Sequence, residues 1–142
     1  MSAAEVNILV VDDDEGHGEL VRRHLRRGGV SHPILTLTNG SMALNYIFGP
    51  GPAADRPGNA DLLVLLDINM PGIDGFEVLR QIKADPTTRQ IPVVMLTTTG
   101  DQREIKRCYQ YGCSLCITKS VDPAEFVEAV RQHCDHIMEN LS

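Results

Sequence analysis

The chain has no long apolar run. None of its hydrophobic stretches reaches the roughly 18 residues that a membrane-spanning helix needs, so no span is expected. Its beginning, MSAAEVNILV, also lacks a basic region followed by a long apolar stretch and a small-residue cleavage site, which argues against a secretion signal. Positive charge is not in excess. With 13 Lys and Arg against 19 Asp and Glu the formal charge is -6, and affinity for phosphate backbones comes largely from clustered Lys and Arg, so a nucleic-acid surface is not expected. The one basic cluster, Arg22, Arg23, Arg26 and Arg27, has the spacing of a solvated helix face or of a docking surface for an acidic partner. Cysteine is scarce, four residues in all. These features suggest a cytoplasmic protein with reduced thiols. Cys113-Ser-Leu-Cys116 enters a strand rather than opening a helix, so its thiols read as small buried hydrophobes, not as a redox pair.

What is present is a repeated placement. Four apolar runs each end in a residue suited to metal and phosphate chemistry: VNILVV before Asp12-Asp13, LLVLL before Asp67, IPVVML before Thr97 and LCIT before Lys119. Short runs of this kind read as buried parallel strands, and ligands of open α/β sheets gather at the carboxyl ends of such strands. Three carboxylates, a hydroxyl and an ammonium are therefore expected in one crevice. A length of 142 residues, 42% of them hydrophobic, suits one domain over residues 1–142.

Strand and helix patterns alternate five times, as in a parallel sheet covered on both faces. Strands are expected at Val6–Val11, Ile34–Thr38, Leu62–Asp67, Ile91–Thr97 and Leu115–Lys119. The second alternates apolar and polar residues and belongs at a sheet edge. The first helix, Glu15 to Arg27, would turn Leu20, Val21, His24 and Leu25 inward and stop at Gly28-Gly29. The second starts after Thr38-Asn39-Gly40, buries Ala43, Leu44 and Ile47 and ends at Gly49. The third, Gly75 to Ala84, buries Val78, Leu79 and Ile82, and the fourth runs from about Asp101 to Tyr111. A Pro/Gly-rich insertion spans 49–60. It joins a helix end to a strand start, which places it away from the strand carboxyl ends and from any chemistry there.

The last helix, about 123–140, opens with Asp122 as N-cap and Pro123 at its first position. Its stripe of Phe126, Val127, Val130, Cys134, Ile137, Met138 and Leu141 runs four to five turns, more than the roughly three turns a helix of mean length offers. The excess suggests a homodimer through this helix, with Phe126, Val130, Ile137 and Met138 as candidate contacts.

The candidate site can be read from residue types. Asp12, Asp13 and Asp67 make an oxygen-rich set for a hard divalent cation, and Mg2+ typically takes one or two carboxylates while keeping waters for a phosphate. Beside a metal, an Asp can attack phosphorus and form an aspartyl phosphate. Asp67 alone terminates the central apolar strand and is the candidate nucleophile; Asp12 and Asp13 begin a loop and suit metal binding. Thr97 can donate to a phosphoryl oxygen and Lys119 can supply a point charge, both stabilising the transferring group. Asp14 and Glu15 read as first-turn helix acids, and His17 as a surface residue or, less simply, as one with a role beside the site.

ILVVDDD with Asp12 and Asp13, LLDINMPGIDG with Asp67, PVVMLTTTG with Thr97, and ITKS with Lys119 together resemble the receiver domain of bacterial two-component response regulators, over nearly the whole chain. DDDEGHGEL, TNGSMALNYIFG, the Pro/Gly insertion and the CITK strand most resemble stand-alone regulators that accompany bacterial phytochrome histidine kinases. The resemblance implies a flavodoxin-like, three-layer (βα)5 fold with sheet order 2-1-3-4-5. It implies phosphotransfer from a histidine kinase to Asp67, with Mg2+ on Asp13, Asp67 and the Asn69 carbonyl and Asp12 holding a metal-bound water. Thr97 would move toward the phosphoryl group and rearrange the fourth helix, fifth strand and fifth helix, while Asn69 and Thr99 occupy positions that tune autodephosphorylation. Signalling would follow from changed protein-protein binding, with no separate enzymatic activity.

Two departures bear on this relay. Ser120 stands where the family usually has Pro in a cis peptide, and a cis bond without proline costs about 2.5 to 4 kcal/mol. A retained cis bond, or a trans bond that shifts Lys119, is expected. Cys116 stands where the family commonly has an aromatic residue that turns inward with the threonine. A thiol has less area to report that change, which predicts weaker coupling from Thr97 or signalling through the dimer.

Two rival classes differ in their requirements. A haloacid-dehalogenase-type phosphatase needs a second acid two residues after its nucleophile, and Asn69 occupies that position. A degenerate receiver, acting as an interaction module without phosphorylation, would fail to load Asp67. A dinucleotide-binding reading fails because the first strand opens into DDDEGHG, not a glycine-rich turn.

Overall fold

In the computed structural model, residues 6–49, 61–98, 100–119 and 122–139 are described. Five strands alternate with five helices: β1 (Asn7–Val11), α1 (Glu15–Arg27), β2 (Ile34–Leu37), α2 (Gly40–Phe48), β3 (Leu62–Asp67), α3 (Gly75–Ala84), β4 (Val93–Thr97), α4 (Gln102–Gln110), β5 (Leu115–Thr118) and α5 (Pro123–Glu139). The strands form one parallel sheet in the order β2-β1-β3-β4-β5, the flavodoxin-like arrangement expected above.

The period of two along each strand sorts the core into two halves. Leu9, Val11, Val64, Leu66, Val93 and Met95 face α2, α3 and α4. Ile8, Val10, Leu63, Leu65, Val94 and Leu96 face α1 and α5. All six β3 residues are buried because β3 pairs on both sides and is covered on both faces. The edge strands β2 and β5 are only partly buried, as the alternating pattern of β2 implied.

Strand ends depart from the sequence reading for local reasons. Val6 precedes β1, its N–H donating to His32 Nδ1 at 3.2 Å. β4 starts after Pro92, which has no N–H for a ladder. Leu20 is not inward: it is 47% exposed, and α1 instead buries Gly18, Val21 and Leu25. Leu44 is only half-buried on α2.

The two glycines that end α1 do different jobs. Gly29 takes φ 90°, and the N–H groups of Gly29 and Val30 cap the carbonyls of Arg26 and Leu25, the bonding of a Schellman ending. Gly28 has an ordinary φ of -78°, but a Cβ there would lie 2.3 Å from Val127 Cγ1 on α5. Close packing of α1 on α5, not backbone freedom, requires it. Arg26 turns back to the carbonyls of Val30 and His32, and Arg23 pairs with Glu19, so these two members of the basic cluster bind their own chain.

α5 spends its first turns on the chain's own core. Phe126 and Val130 are buried there with Val127 and Cys134, which removes both from the surface a second chain could touch. Ile137 and Met138 only lean on that core. Residues 50–60 of the insertion, Thr99, Ser120 with its peptide bond to Lys119, and Leu141 lie outside the described residues. Among the described residues, no helix is long and apolar enough to cross a membrane.

Candidate functional site

The strand order reverses at β1: the chain passes from β1 to β2 on one side, then returns to β3 on the other. The crevice outside the carboxyl ends at such a point is where open α/β sheets bind ligands. Asp12 follows β1 directly and Asp67 closes β3, so the two carboxylates flank that point. The β3 end is tightly built. Asp74 caps α3 by accepting the Glu77 N–H at 2.9 Å, and Gly75 donates to the Ile68 carbonyl at 2.9 Å. A Cβ at Gly75 would sit 2.3 Å from the Asp67 carbonyl oxygen, so glycine lets α3 start against the strand end.

Asp12, Asp13 and Asp67 each offer a carboxylate oxygen, and the three lie within 4.8 Å of one another. Asp12 and Asp67 are buried and Asp13 is exposed. Lys119, one residue beyond β5, brings Nζ to 3.2 Å from Oδ2 of both Asp12 and Asp67. Its N–H donates to the Thr97 carbonyl at 2.7 Å, which continues the β4–β5 pairing past the strand and fixes where the lysine leaves. Asn69 is exposed, and its N–H donates to Asp67 Oδ1 at 3.3 Å.

The electrostatics follow from this packing. Burial raises the Asp67 pKa, Lys119 opposes the rise, and the Asp12 charge adds to it. Burial works against a charged Lys119, but attraction to Asp67 and Asp12 outweighs it and holds the lysine pKa above its ordinary value. One ammonium thus faces two buried carboxylates and a third at the rim. Hard oxygen donors carrying surplus negative charge suit a small divalent cation.

Two further residues enter the site, one read from sequence chiefly as a surface residue and one missed. His17 is half-buried, and its Nδ1 lies 2.5 Å from Asp12 Oδ2. Its signal was available in principle: Asp14 caps α1 through the His17 N–H, and that fixes the side chain one turn above Asp12. Glu104 on α4 accepts the Thr97 hydroxyl at 3.0 Å. Nothing in the local sequence singled out Glu104, because a third-position helix acid usually serves its own helix terminus.

Thr97 is buried and follows Leu96, which is the register partner of Asp67. Cys116 is half-buried against the core half that holds Cys108 and Cys113. All four cysteines are free. Burial pushes the Cys116 thiol up to about 12 and the Cys134 thiol up to about 11, which leaves both poor nucleophiles.

Known proteins resemble this chain in sequence and fold. The family model of the response regulator receiver domain matches residues 8–131. Response regulator Rcp1 of Synechocystis sp. is 34% identical over 113 residues, which cover 80% of this chain and 76% of that protein. Its Mn2+-bound form aligns with a TM-score of 0.74 at 31% identity, over 89% of this chain and 90% of that one. A response regulator receiver domain from Rhodospirillum rubrum gives a TM-score of 0.75 at 42% identity, over 96% and 95% of the two chains. The phosphorylated cyanobacterial phytochrome response regulator RcpA gives 0.76 at 33%, over 92% and 91%. With the sheet order, the acid cluster and its lysine already in place, this match across most of the chain makes the protein a member of the response regulator receiver domain family.

Proposed function

We propose that Asp67 is the phosphoacceptor of this receiver domain. The observation that carries this is the placement of Asp67: a buried carboxylate at the end of the central strand, 3.2 Å from Lys119 Nζ and grouped with Asp12 and Asp13. An Asp67 oxygen attacks the phosphorus of a kinase phosphohistidine; the O–P bond forms, the P–N bond breaks and its electron pair returns to the imidazole nitrogen. Asp13, Asp67 and the Asn69 carbonyl would hold Mg2+, with Asp12 on a metal-bound water, and the cation would supply positive charge to the phosphoryl oxygens. Lys119 provides a second positive charge, and Thr97 donates its hydroxyl to another phosphoryl oxygen. Asn69 and Thr99 tune how quickly water removes the group.

The kinase partner is a sensor histidine kinase of the bacterial phytochrome class, a reading supported by likeness to the phytochrome regulator RcpA. The protein works in the cytoplasm as one domain and has no enzymatic activity beyond its own phosphotransfer and dephosphorylation. Phosphorylation shifts which binding surface or dimer is populated, by the difference in phosphoryl contacts between the two states. The dimer contact lies on distal α5, where Ile137 and Met138 are only partly covered.

Intact-mass spectrometry with size exclusion, on protein given acetyl phosphate and Mg2+, tests this reading beside Asp67→Asn. One added phosphate that disappears in the variant is expected. A native protein that gains none would leave the phosphorylation-independent interaction module as the better reading.

A further inference from the structure

Thr97 holds an unexpected partner. Its side chain is buried, and Oγ1 lies 3.0 Å from Glu104 Oε1, seven residues later on the first turn of α4. A carboxylate only accepts and a threonine hydroxyl carries one proton, so in this pair the hydroxyl donates that proton to Glu104. Phosphoryl oxygens are acceptors as well. The hydroxyl can donate to Glu104 or to a phosphoryl group on Asp67, never to both.

The surroundings give this bond mechanical reach. Glu104 is half-buried. Its charge also touches β5: the Cys116 thiol is pushed up chiefly by burial, then by Cys108, and to a lesser extent by Glu104. Tyr109, one turn further along α4, accepts the Cys116 N–H at 3.2 Å. α4 is therefore tied to the end of β4 through Glu104 and to edge strand β5 through Tyr109. It buries only Cys108 of its own residues, so few apolar contacts hold it otherwise.

We propose that Glu104 is a positioning residue that holds Thr97 in the unphosphorylated state, and that loss of this bond on phosphorylation carries the signal to α4. The inference rests on Asp67 being the acceptor. When Thr97 donates to the phosphoryl group, the Glu104 carboxylate loses its donor in a half-buried place where an unpaired anion is unfavourable. It moves toward water and takes the start of α4 with it. A small residue at 116 then needs no inward turn of its own, because the carboxylate conveys the change.

The test uses beryllofluoride with Mg2+ as the phosphoryl mimic, on the native chain, Glu104→Ala, Glu104→Gln, Thr97→Ala and the Thr97→Ala/Glu104→Ala double variant. Glu104→Ala removes the competing acceptor and should tighten binding about tenfold, the scale of one charge-assisted hydrogen bond. Glu104→Gln keeps an acceptor and should stay near native. In the Thr97→Ala background, removing Glu104 should change affinity by less than about twofold. Amide NMR shifts across Gln102–Gln110 should move on binding in the native chain and already be displaced in free Glu104→Ala. Equal affinities for native and Glu104→Ala would overturn the proposal. So would equal tightening with and without the Thr97 hydroxyl, which would mark simple charge removal. A native chain that binds no beryllofluoride would instead overturn the acceptor reading, and this inference with it.

Discussion

Asp67 is an acid kept where an anion is disfavoured, first by burial and then by Asp12, with Lys119 only partly compensating. A carboxyl with a raised folded pKa favours the native state at low pH. That contribution is lost as pH rises from the ordinary 3.8 through the folded value. Asp67→Asn should therefore raise Tm by several degrees at neutral pH, with the gain shrinking as pH falls toward about 4. Thermal melts across that range check it, and a gain independent of pH would refute it. Lys119 has the converse dependence at the other end of the scale. Its stabilisation is complete below the ordinary 10.5 and disappears as pH climbs past the raised folded value. Lys119→Met leaves Asp12 and Asp67 facing each other without a counter-charge and should lower Tm at neutral pH. Mg2+ should restore part of that loss, because a cation at about 100 times its Kd stabilises by roughly 2.7 kcal/mol.

At the scale of elements, α1 and α5 meet through a missing side chain. Gly28→Ala would place a methyl against Val127 Cγ1 at 2.3 Å, although its φ suits alanine. Urea denaturation should show a loss of about 1 to 3 kcal/mol, as for other overpacked cores. Val127→Ala should recover part of it, giving a double variant less damaged than the two single losses summed. That contact was not legible in the sequence, where Gly28 and Gly29 both read as a helix stop. Element types and order were legible because short apolar runs alternate with helix-period patterns, whereas the caps at Asp14, Asn39, Asp74 and Asp101 emerged only from the structure. Strand limits depended on hydrogen bonds that no pattern encodes, such as Val6 to His32. The acids and lysine of the site were legible from strand ends. Glu104 was not, since its role arises from which way α4 turns over the end of β4.

At the scale of the molecule, the four α5 residues offered for dimerisation divide in two. Phe126 and Val130 serve the core, leaving Ile137 and Met138 with surface to share. Ile137→Lys with Met138→Glu should shift a dimer toward monomer by size exclusion with light scattering, while phosphate uptake on Asp67 stays at the native level. Loss of phosphate uptake along with the dimer would tie the two together and contradict this separation.

Every residue of β3 is buried, and the strand is paired on both sides up to Asp67. Amide exchange should then be slowest across Leu62–Asp67, opening only with the whole domain, whereas α4 exchanges through small local openings. On the proposed reading, the acceptor closes the most fully paired and buried strand, whose backbone has little room to shift on modification. The work of each phosphoryl contact would then appear as motion in α4, which buries only Cys108 of its own residues, so the place where the signal is written would be separate from the place where it is read.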